Sequence, residues 1–168
     1  MTYLNGLRLD RASAMYRMSG DTRPLQVETL RFLQASVDRA YSKGLRLLQQ
    51  GHLTPRLSPE EALGNFIDRE ARGDLRKMLN QYRISTGPNQ RVKVIGREYD
   101  TSGSDRTYKI PDARIDLLAI DVTLTKKTLS TPQVRGFFSA DFRPEATAII
   151  RPSQLGPNSS YIIKQPRK

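Results

Sequence analysis

Cysteine is absent from this chain of 168 residues and histidine is almost absent, and each absence removes a class of function. Without cysteine, the chain has no disulfide framework, zinc knuckle or cysteine nucleophile, and its redox compartment stays undetermined. The one histidine, His52, follows Gly51 in a predicted connector, and we interpret it as a solvated loop residue. Mechanisms that need two histidines and histidine-rich metal sites are therefore excluded.

Long apolar runs and aromatic residues are also scarce. No run approaches the roughly 18 apolar residues of a membrane span, and residues 1–10 lack the apolar core of a signal peptide, so we expect no targeting segment here. Phe, Trp and Tyr together make up 7% of the residues, without a stripe suited to stacking bases. The composition therefore argues against sequence-specific readout of a single strand.

Positive charge is abundant. Lys and Arg number 28 against 17 Asp and Glu, a formal net charge of +11, and the pI is near 10.3. This balance favours nucleic acid or another polyanion as partner. Two other interpretations stay open, in which the charge keeps the protein soluble or meets an acidic protein. The length and 37% hydrophobic content predict one main domain with one core.

The first half of the chain predicts helices. A short helix is expected over 10–18, and a long one begins near Pro24 and is stopped by Gly51. A second long helix has a strong start signal in Ser58, Pro59 and Glu61, and should run to about residue 83. We place the boundary between an N-terminal helical extension, 1–57, and a main domain, 58–168, in the proline-containing segment 54–59. Asp68 falls on the margin of the apolar face of the second long helix.

The second half has the period of strands. The predicted order is a strand over 92–99, a turn over 100–105, a return strand over 106–110, a buried strand over 117–124, a helix over 131–140, a strand over 146–150 and an edge strand over 161–163. The buried strand is a nearly continuous apolar run that carries Asp121 between Ile120 and Val122. The fold class predicted is α/β (α+β), with a central mixed sheet flanked by helices.

Two carboxylates lie near the ends of short apolar strands. Asp112 follows Pro111, and Asp121 lies nine residues further on. A chain this basic has little reason to bring acids together unless a cation lies between them and an anionic substrate. Asp112 and Asp121 are therefore predicted to bind a divalent metal. The carbonyl oxygen of Val122 would be a third ligand, and Asp68 an outer ligand or one for a second metal. The structural alternative is that Asp112 turns the chain and Asp121 pairs with an arginine.

The pattern Pro-Asp, spacer, acid resembles the PD-(D/E)XK, or restriction-endonuclease-like, nuclease superfamily. Pro111-Asp112 and Asp121 match its acids, and the flanking pieces resemble the toxin domains of bacterial polymorphic and contact-dependent toxins. The resemblance covers about residues 58–164. It implies an αβββαβ core, a Mg²⁺ or Mn²⁺ cofactor and hydrolysis of phosphodiester bonds, with DNA favoured and tRNA as another substrate. It also implies an acidic immunity protein, and action in the cytoplasm of a target cell after delivery within a larger secreted protein.

The sequence departs from this family where a lysine should follow Asp121 by two residues, because Thr123 stands there. Lys127 is one replacement, although six residues of straight strand would place it roughly 20 Å away. Polar residues of the following helix, Gln133 and Arg135, are rivals for the same task. Three further residues are predicted to contact nucleic acid, namely Lys109, Lys126 and Arg151.

Two other functions stay open. One is a metal-free ribonuclease toxin of the barnase- or colicin-like type, in which a set of basic and hydroxyl residues lines the sheet and the substrate 2′-hydroxyl attacks. That set comprises Arg135, Arg151, Ser160, Tyr161 and Lys164. The other is a binding module without catalysis, in which Thr123 marks a lost active site and the basic surface alone holds nucleic acid.

Overall fold

The computed structural model describes residues 2–53, 56 and 58–167. Its elements in chain order are α1 (Tyr3–Ser19), α2 (Arg23–Gln49), α3 (Pro59–Gln81), β1 (Val92–Val94), β2 (Glu98–Asp100), β3 (Thr107–Lys109), β4 (Ala113–Ile115), β5 (Leu118–Val122), α4 (Pro132–Ser139), β6 (Ala146–Ile150), a 3₁₀ turn (Ser153–Leu155) and β7 (Tyr161–Lys164). No helix of the described residues is both long enough and apolar enough to cross a membrane.

The helices begin and end at residues with capping chemistry. The Ser58 hydroxyl accepts a hydrogen bond from the Glu61 N–H at 3.1 Å, which confirms the predicted start of α3. Gly51, just after α2, has the left-handed backbone (φ 71°) that ends helices. The first helix is longer than predicted. It begins one residue after Thr2, whose hydroxyl accepts the Asn5 N–H, and ends at Gly20 with φ 72°.

A mixed sheet of five strands lies at the centre, in the order β1-β4-β5-β6-β7. Strands β5 and β6 are parallel and joined through α4, whereas the other neighbours are antiparallel. The predicted α+β class, with a mixed sheet, flanking helices and an N-terminal helical part, is confirmed. Strand β5 is central and almost wholly buried, as its apolar run predicted.

The predicted strand over 92–99 is wrong as a single element. The chain breaks at Ile95, which has a positive φ of 54°, a conformation that a continuous strand does not contain. The first piece, β1, therefore joins the main sheet beside β4, whereas β2 pairs with β3 in a separate two-stranded ribbon. Strand β4 itself was not predicted. It pairs with β5 through a two-residue turn at Asp116, which also has a positive φ of 53°.

One hydrophobic cluster joins the three N-terminal helices to strands β1, β4, β5 and β6. Leu25, Leu33 and Val37 of α2 are fully buried, in the same cluster as Leu75 of α3 and Ile120 of β5. The segment predicted as an N-terminal extension therefore contributes to the core that supports the sheet. Residues 54, 55 and 57, in the predicted boundary segment, lie outside the described residues.

Candidate active site

The pairing of β4 with β5 places Asp112 beside Asp121. Ala113 is the register partner of Ile120, so Asp112, one residue before, is opposite Asp121, one residue after. Opposite residues of an antiparallel pair point to the same face of a sheet. The two carboxyls are in hydrogen-bonding contact, and the Val122 N–H donates to Asp112 Oδ2 at 2.6 Å. The ligand role predicted for the Val122 carbonyl stays a prediction.

Asp68, on α3, lies next to these two carboxyls. Its carboxyl is in hydrogen-bonding contact with Asp112, and its Oδ2 pairs with the Arg72 guanidinium at 2.9 Å. Its Oδ1 is buried, and no N–H or hydroxyl group of the described residues donates to it. A buried oxygen without a donor is costly unless a proton or a cation meets it. The helical margin on which the sequence placed Asp68 is thus the margin that faces the two sheet carboxylates.

The side chain of Lys127 lies next to Asp121 in the folded chain. The strand ends at Val122, and the chain then turns back instead of running straight. The Lys127 ammonium donates to Asp121 Oδ2 at 2.7 Å and to Gln133 Oε1 at 2.8 Å. The Gln133 amide donates to the other Asp121 oxygen at 3.2 Å. Two of the three residues proposed to replace the family lysine therefore meet at Asp121, which is 3% exposed.

The loop that carries Lys127 is held by two anchors from the end of the chain. The Tyr161 hydroxyl accepts the Lys127 N–H and donates to the Lys127 carbonyl, both at 2.7 Å. The Arg151 guanidinium donates to the Leu124 carbonyl through Nε at 3.1 Å and Nη2 at 2.9 Å. Arg151, predicted to contact nucleic acid, thus has a structural role. Its binding of nucleic acid stays a prediction.

Burial and mutual repulsion set the protonation of the carboxylates. Burial, a hydrogen bond with Asp68 and the negative charge of Asp121 raise the pKa of Asp112 to about 9. Burial also raises the pKa of Asp121, while the Lys127 ammonium opposes this rise. The cluster holds three carboxyls, and Arg72 and Lys127 each pair with one. Asp112 is the carboxyl left without a cationic partner among these residues, and its raised pKa favours the protonated form.

The remaining predicted residues surround the cluster. Arg135 is exposed on α4, two residues from Gln133 and thus about 200° around the helix, pointing away from Asp121. Lys126 is exposed on the loop next to Lys127. Lys109 ends β3, and its side chain lies across α4 so closely that a Cβ on Gly136 would be 2.5 Å from Lys109 Cγ.

Two residues of the site, Arg72 and Tyr161, lie outside the predicted metal-nuclease set, although Tyr161 belongs to the set named for the ribonuclease alternative. Arg72 lies four residues after Asp68 on the same helix, a spacing that allows an ion pair, so a signal for it was present. Tyr161 lies 34 residues from Lys127. Nothing in the local sequence connects these two residues, since their contact depends on how β7 pairs with β6.

The donor chemistry of the cluster suits a hard divalent cation. Carboxylate oxygens are the ligands that Mg²⁺ and Mn²⁺ prefer, and the buried Asp68 Oδ1 lacks a donor. The residues do not form a ready-made shell, because both Asp121 oxygens already accept hydrogen bonds. Among the described residues, no group of three or more His, Cys, Asp or Glu side chains is arranged to hold a metal ion.

Comparison with protein-family models, with curated proteins and with solved structures finds no match to this chain.

Proposed function

We propose that this chain is a metal-dependent endonuclease that hydrolyses phosphodiester bonds of nucleic acid, with DNA the favoured substrate. The observation that carries the proposal is the convergence of the Asp68, Asp112 and Asp121 carboxyls, with Lys127 paired to Asp121, in a chain whose net charge is +11. Buried acids that face a basic exterior are expected where a cation and a phosphate must be brought together.

The carboxylates would hold the metal, and Asp68, Asp112 and Asp121 are its proposed side-chain ligands. Mg²⁺ or Mn²⁺ bound there would neutralise charge on the phosphate and lower the pKa of a bound water. Binding would replace the proton that Asp112 carries, and would satisfy the buried Asp68 oxygen.

Lys127 and Gln133 supply the polar groups that the chemistry needs beside the metal ligands. The Lys127 ammonium is held by Asp121 and Gln133, so its charge is fixed in position before a substrate arrives. A preorganised positive charge stabilises the negative charge that develops on the phosphoryl oxygens. Gln133 has an amide that can hydrogen-bond the attacking water once it releases Asp121.

The element order supports the restriction-endonuclease-like assignment. Helix α3, strands β1, β4 and β5, helix α4 and strand β6 follow the order helix, three strands, helix, strand, with β6 parallel to β5. The β2–β3 ribbon is an insertion between the first two of these strands.

The hydroxyl groups required by a metal-free ribonuclease already have structural partners. The Tyr161 hydroxyl bonds the Lys127 backbone, and the Ser160 hydroxyl bonds Gln34 and the Arg151 backbone. These bonds favour the metal-dependent reaction over the ribonuclease. A binding module without catalysis is the remaining alternative.

Cleavage of plasmid DNA and of tRNA, assayed side by side, tests the proposal. We expect cleavage with Mg²⁺ or Mn²⁺, loss of cleavage in EDTA, and recovery when the metal is restored. Full activity in EDTA would favour the ribonuclease instead. Asp121→Ala and Lys127→Ala should each lower cleavage at least about 100-fold, because each removes a group that acts on the reacting phosphate. Asp10→Asn, an exposed substitution on α1, is the matched control.

The binding module would give a different result. In that case the unmutated protein would bind nucleic acid, but no cleavage would be measured for it under any metal condition.

We further propose that the chain acts as an antibacterial toxin domain in the cytoplasm of a target cell, delivered within a larger protein. A nuclease would kill the cell that makes it, so we propose a small acidic immunity protein as partner. The net charge of +11 suits such a partner. Rescue of growth by the product of an adjacent gene, with direct binding measured by calorimetry, is the expected outcome.

A further inference from the structure

The β2–β3 ribbon presents two tyrosines and two arginines on one face. Tyr99 and Tyr108 are register partners, with ring centroids 5.9 Å apart in an edge-to-face arrangement. The Arg97 guanidinium lies over Tyr108, 4.7 Å from its centroid, and the Arg106 guanidinium lies over Tyr99 at 3.6 Å. Each arginine precedes a tyrosine by two residues, so strand alternation puts all four on the same side.

The opposite side of the ribbon is fixed to the body of the protein. Glu98 is buried and accepts two hydrogen bonds from Arg114 Nη1, at 3.0 and 2.9 Å, with Lys93 3.6 Å away. The Asp141 N–H donates to the Tyr99 carbonyl at 2.8 Å, and Asp141 accepts two bonds from Thr101. Because these anchors hold the ribbon, its exposed face is already organised before it meets a partner.

A groove of about 840 Å³ runs beside the ribbon. It is lined in part by Lys93, Ile95, Arg97, Tyr99 and Phe142. The Ile95 N–H donates to the Asp112 carbonyl at 3.1 Å, so the groove wall is bonded to the chain at a proposed metal ligand. Its two acids, Glu98 and Asp141, are occupied by the bonds described above. The lining therefore offers positive charge and aromatic surface.

We propose that this face, with the groove, binds a single-stranded segment of nucleic acid and leads its backbone to the carboxylates. A guanidinium has five N–H groups, so Arg106 and Arg97 can still donate to phosphate although Arg97 also hydrogen-bonds the Tyr99 side chain. The tyrosine rings offer surfaces for bases of any sequence. Three residues at about 3.3 Å each separate Lys109 from Asp112, so the ribbon ends roughly 10 Å from the site. This proposal rests on the proposed function in taking nucleic acid as the partner and the carboxylates as the place to which its backbone is led.

Stacking and charge can be separated by the choice of probe. Fluorescence anisotropy in EDTA compares a labelled thymidine oligonucleotide of about 12 nucleotides, the order of one such groove, with an abasic strand of equal length and with a duplex. We expect the unmutated full chain to bind the thymidine strand roughly tenfold more tightly than the abasic strand, because stacking contributes about 1–3 kcal/mol per base. Tyr99→Ala with Tyr108→Ala should remove that preference, whereas the two Phe substitutions should keep it.

The arginines are tested by the salt dependence of binding. Arg97→Gln with Arg106→Gln should weaken binding roughly tenfold and reduce the slope of log affinity against log salt by about 1.4, since two phosphate contacts are lost. Arg31→Gln with Arg39→Gln removes two charges from α2 and should change the affinity less than about twofold. Circular dichroism checks that each variant is folded.

Several results would overturn the proposal. They are absence of oligonucleotide binding by the unmutated chain, equal affinity for thymidine and abasic strands, or an equal loss in the α2 control. Ribbon variants that bind oligonucleotide normally but lose binding to an acidic immunity protein would assign the face to that protein. The two proposals can fail separately, because binding is measured in EDTA and does not depend on cleavage. Asp121→Ala should therefore retain oligonucleotide binding whether or not the chain cleaves.

Discussion

Lys127 lies six residues beyond Asp121 in the chain, yet its ammonium is 2.7 Å from that carboxylate. A straight strand would separate the two residues by roughly 20 Å. The difference arises because β5 ends at Val122 and the backbone turns back, with the Thr123 hydroxyl accepting the Thr125 N–H at 3.1 Å. A lysine six residues further along the chain can therefore pair directly with Asp121.

Tyr161 is a positioning residue for this lysine, and its hydroxyl can be removed alone. Tyr161→Phe deletes both hydrogen bonds to the Lys127 backbone. We expect kcat for cleavage to fall roughly tenfold with little change in KM, because the bonds fix the position of the ammonium rather than substrate affinity.

A double-mutant cycle separates this role from a structural one. In a Lys127→Ala background, Tyr161→Phe should have almost no further effect on kcat, because the group it positions is gone. Additive losses in kcat would argue that Tyr161 acts only through stability. Tyr3→Phe, at a side chain that is 84% exposed, is the control.

At Asp112 the proposed metal binding and the stability of the fold favour opposite charge states. The pKa of Asp112 is raised to about 9, so the folded chain favours the protonated acid. The unfolded chain ionises this group above about pH 4, so its contribution to the free energy of unfolding falls as the pH rises from about 4 to 9. Asp112→Asn is a neutral substitute that can still accept the Val122 N–H. In EDTA at pH 7.5 we expect it to raise the free energy of unfolding by roughly 1–3 kcal/mol.

The same variant should lose metal-dependent cleavage. Denaturant unfolding across pH 5 to 9 measures the gain in the free energy of unfolding. This gain should shrink as the pH is lowered, because Asp112 of the unmutated chain then becomes neutral. A destabilised Asp112→Asn protein in EDTA would contradict the charge assignment.

At the scale of elements, α2 and α3 cross closely at a glycine. A Cβ on Gly44 would lie 2.5 Å from Leu63 Cδ1 and 2.9 Å from Phe66 Cδ1. Gly73, within α3, has open space where a Cβ would be. These two helical glycines therefore form a matched pair, one required by packing and one tolerated at a cost in helix stability.

Alanine substitutions should have opposite signs at these two sites. Gly44→Ala should lower the free energy of unfolding by about 1–2 kcal/mol, since overpacking exceeds the gain in helix propensity. Gly73→Ala should raise it by about 0.5–1 kcal/mol through propensity alone. Thermal unfolding followed by circular dichroism measures both. Equal stabilisation by the two substitutions would show that the helices can separate at no cost.

For the molecule as a whole, Asp116 ties the N-terminal helices to the sheet. Its carboxylate pairs with Arg91 at 2.7 Å and accepts the Thr22 hydroxyl at 3.0 Å, and Arg91 also donates to the Gly20 carbonyl. The hydrogen bond from Arg91 holds the pKa of Asp116 below its usual value, and the one from Thr22 acts in the same direction. The turn at Asp116 thus joins three parts of the fold.

This link should contribute to acid sensitivity. A lowered folded pKa gives stability that is present above the unfolded pKa of about 3.9 and is lost as the pH falls through the folded pKa. Asp116→Asn tolerates the positive φ and should cost about 0.5–1 kcal/mol at pH 7, a modest value because the Arg91 side chain is 46% exposed. The difference from the unmutated chain should vanish near pH 2. A difference that persists there would mean that shape, not charge, is lost.

The local elements follow from local signals in the sequence. The capping residues and apolar stripes locate α2 and α3, and the apolar run of β5 indicates its burial. The sequence indicates Asp112 and Asp121 because both lie near the ends of short apolar strands in a chain with a net charge of +11. These features depend on neighbours within a few residues, which a sequence displays directly.

Long-range pairing was settled only by the tertiary structure. The division of 92–99 between two sheets depends on the partners available to β1 and β2, and the contact of Tyr161 with Lys127 depends on β7 pairing with β6. The tyrosine–arginine face was not visible either, because Tyr99 and Tyr108 meet only across a ribbon. Sequence determined where the acidic residues stand along this basic chain and where the long helices run. The packing of distant segments decided which of those residues meet, since that choice minimises the free energy of the whole core.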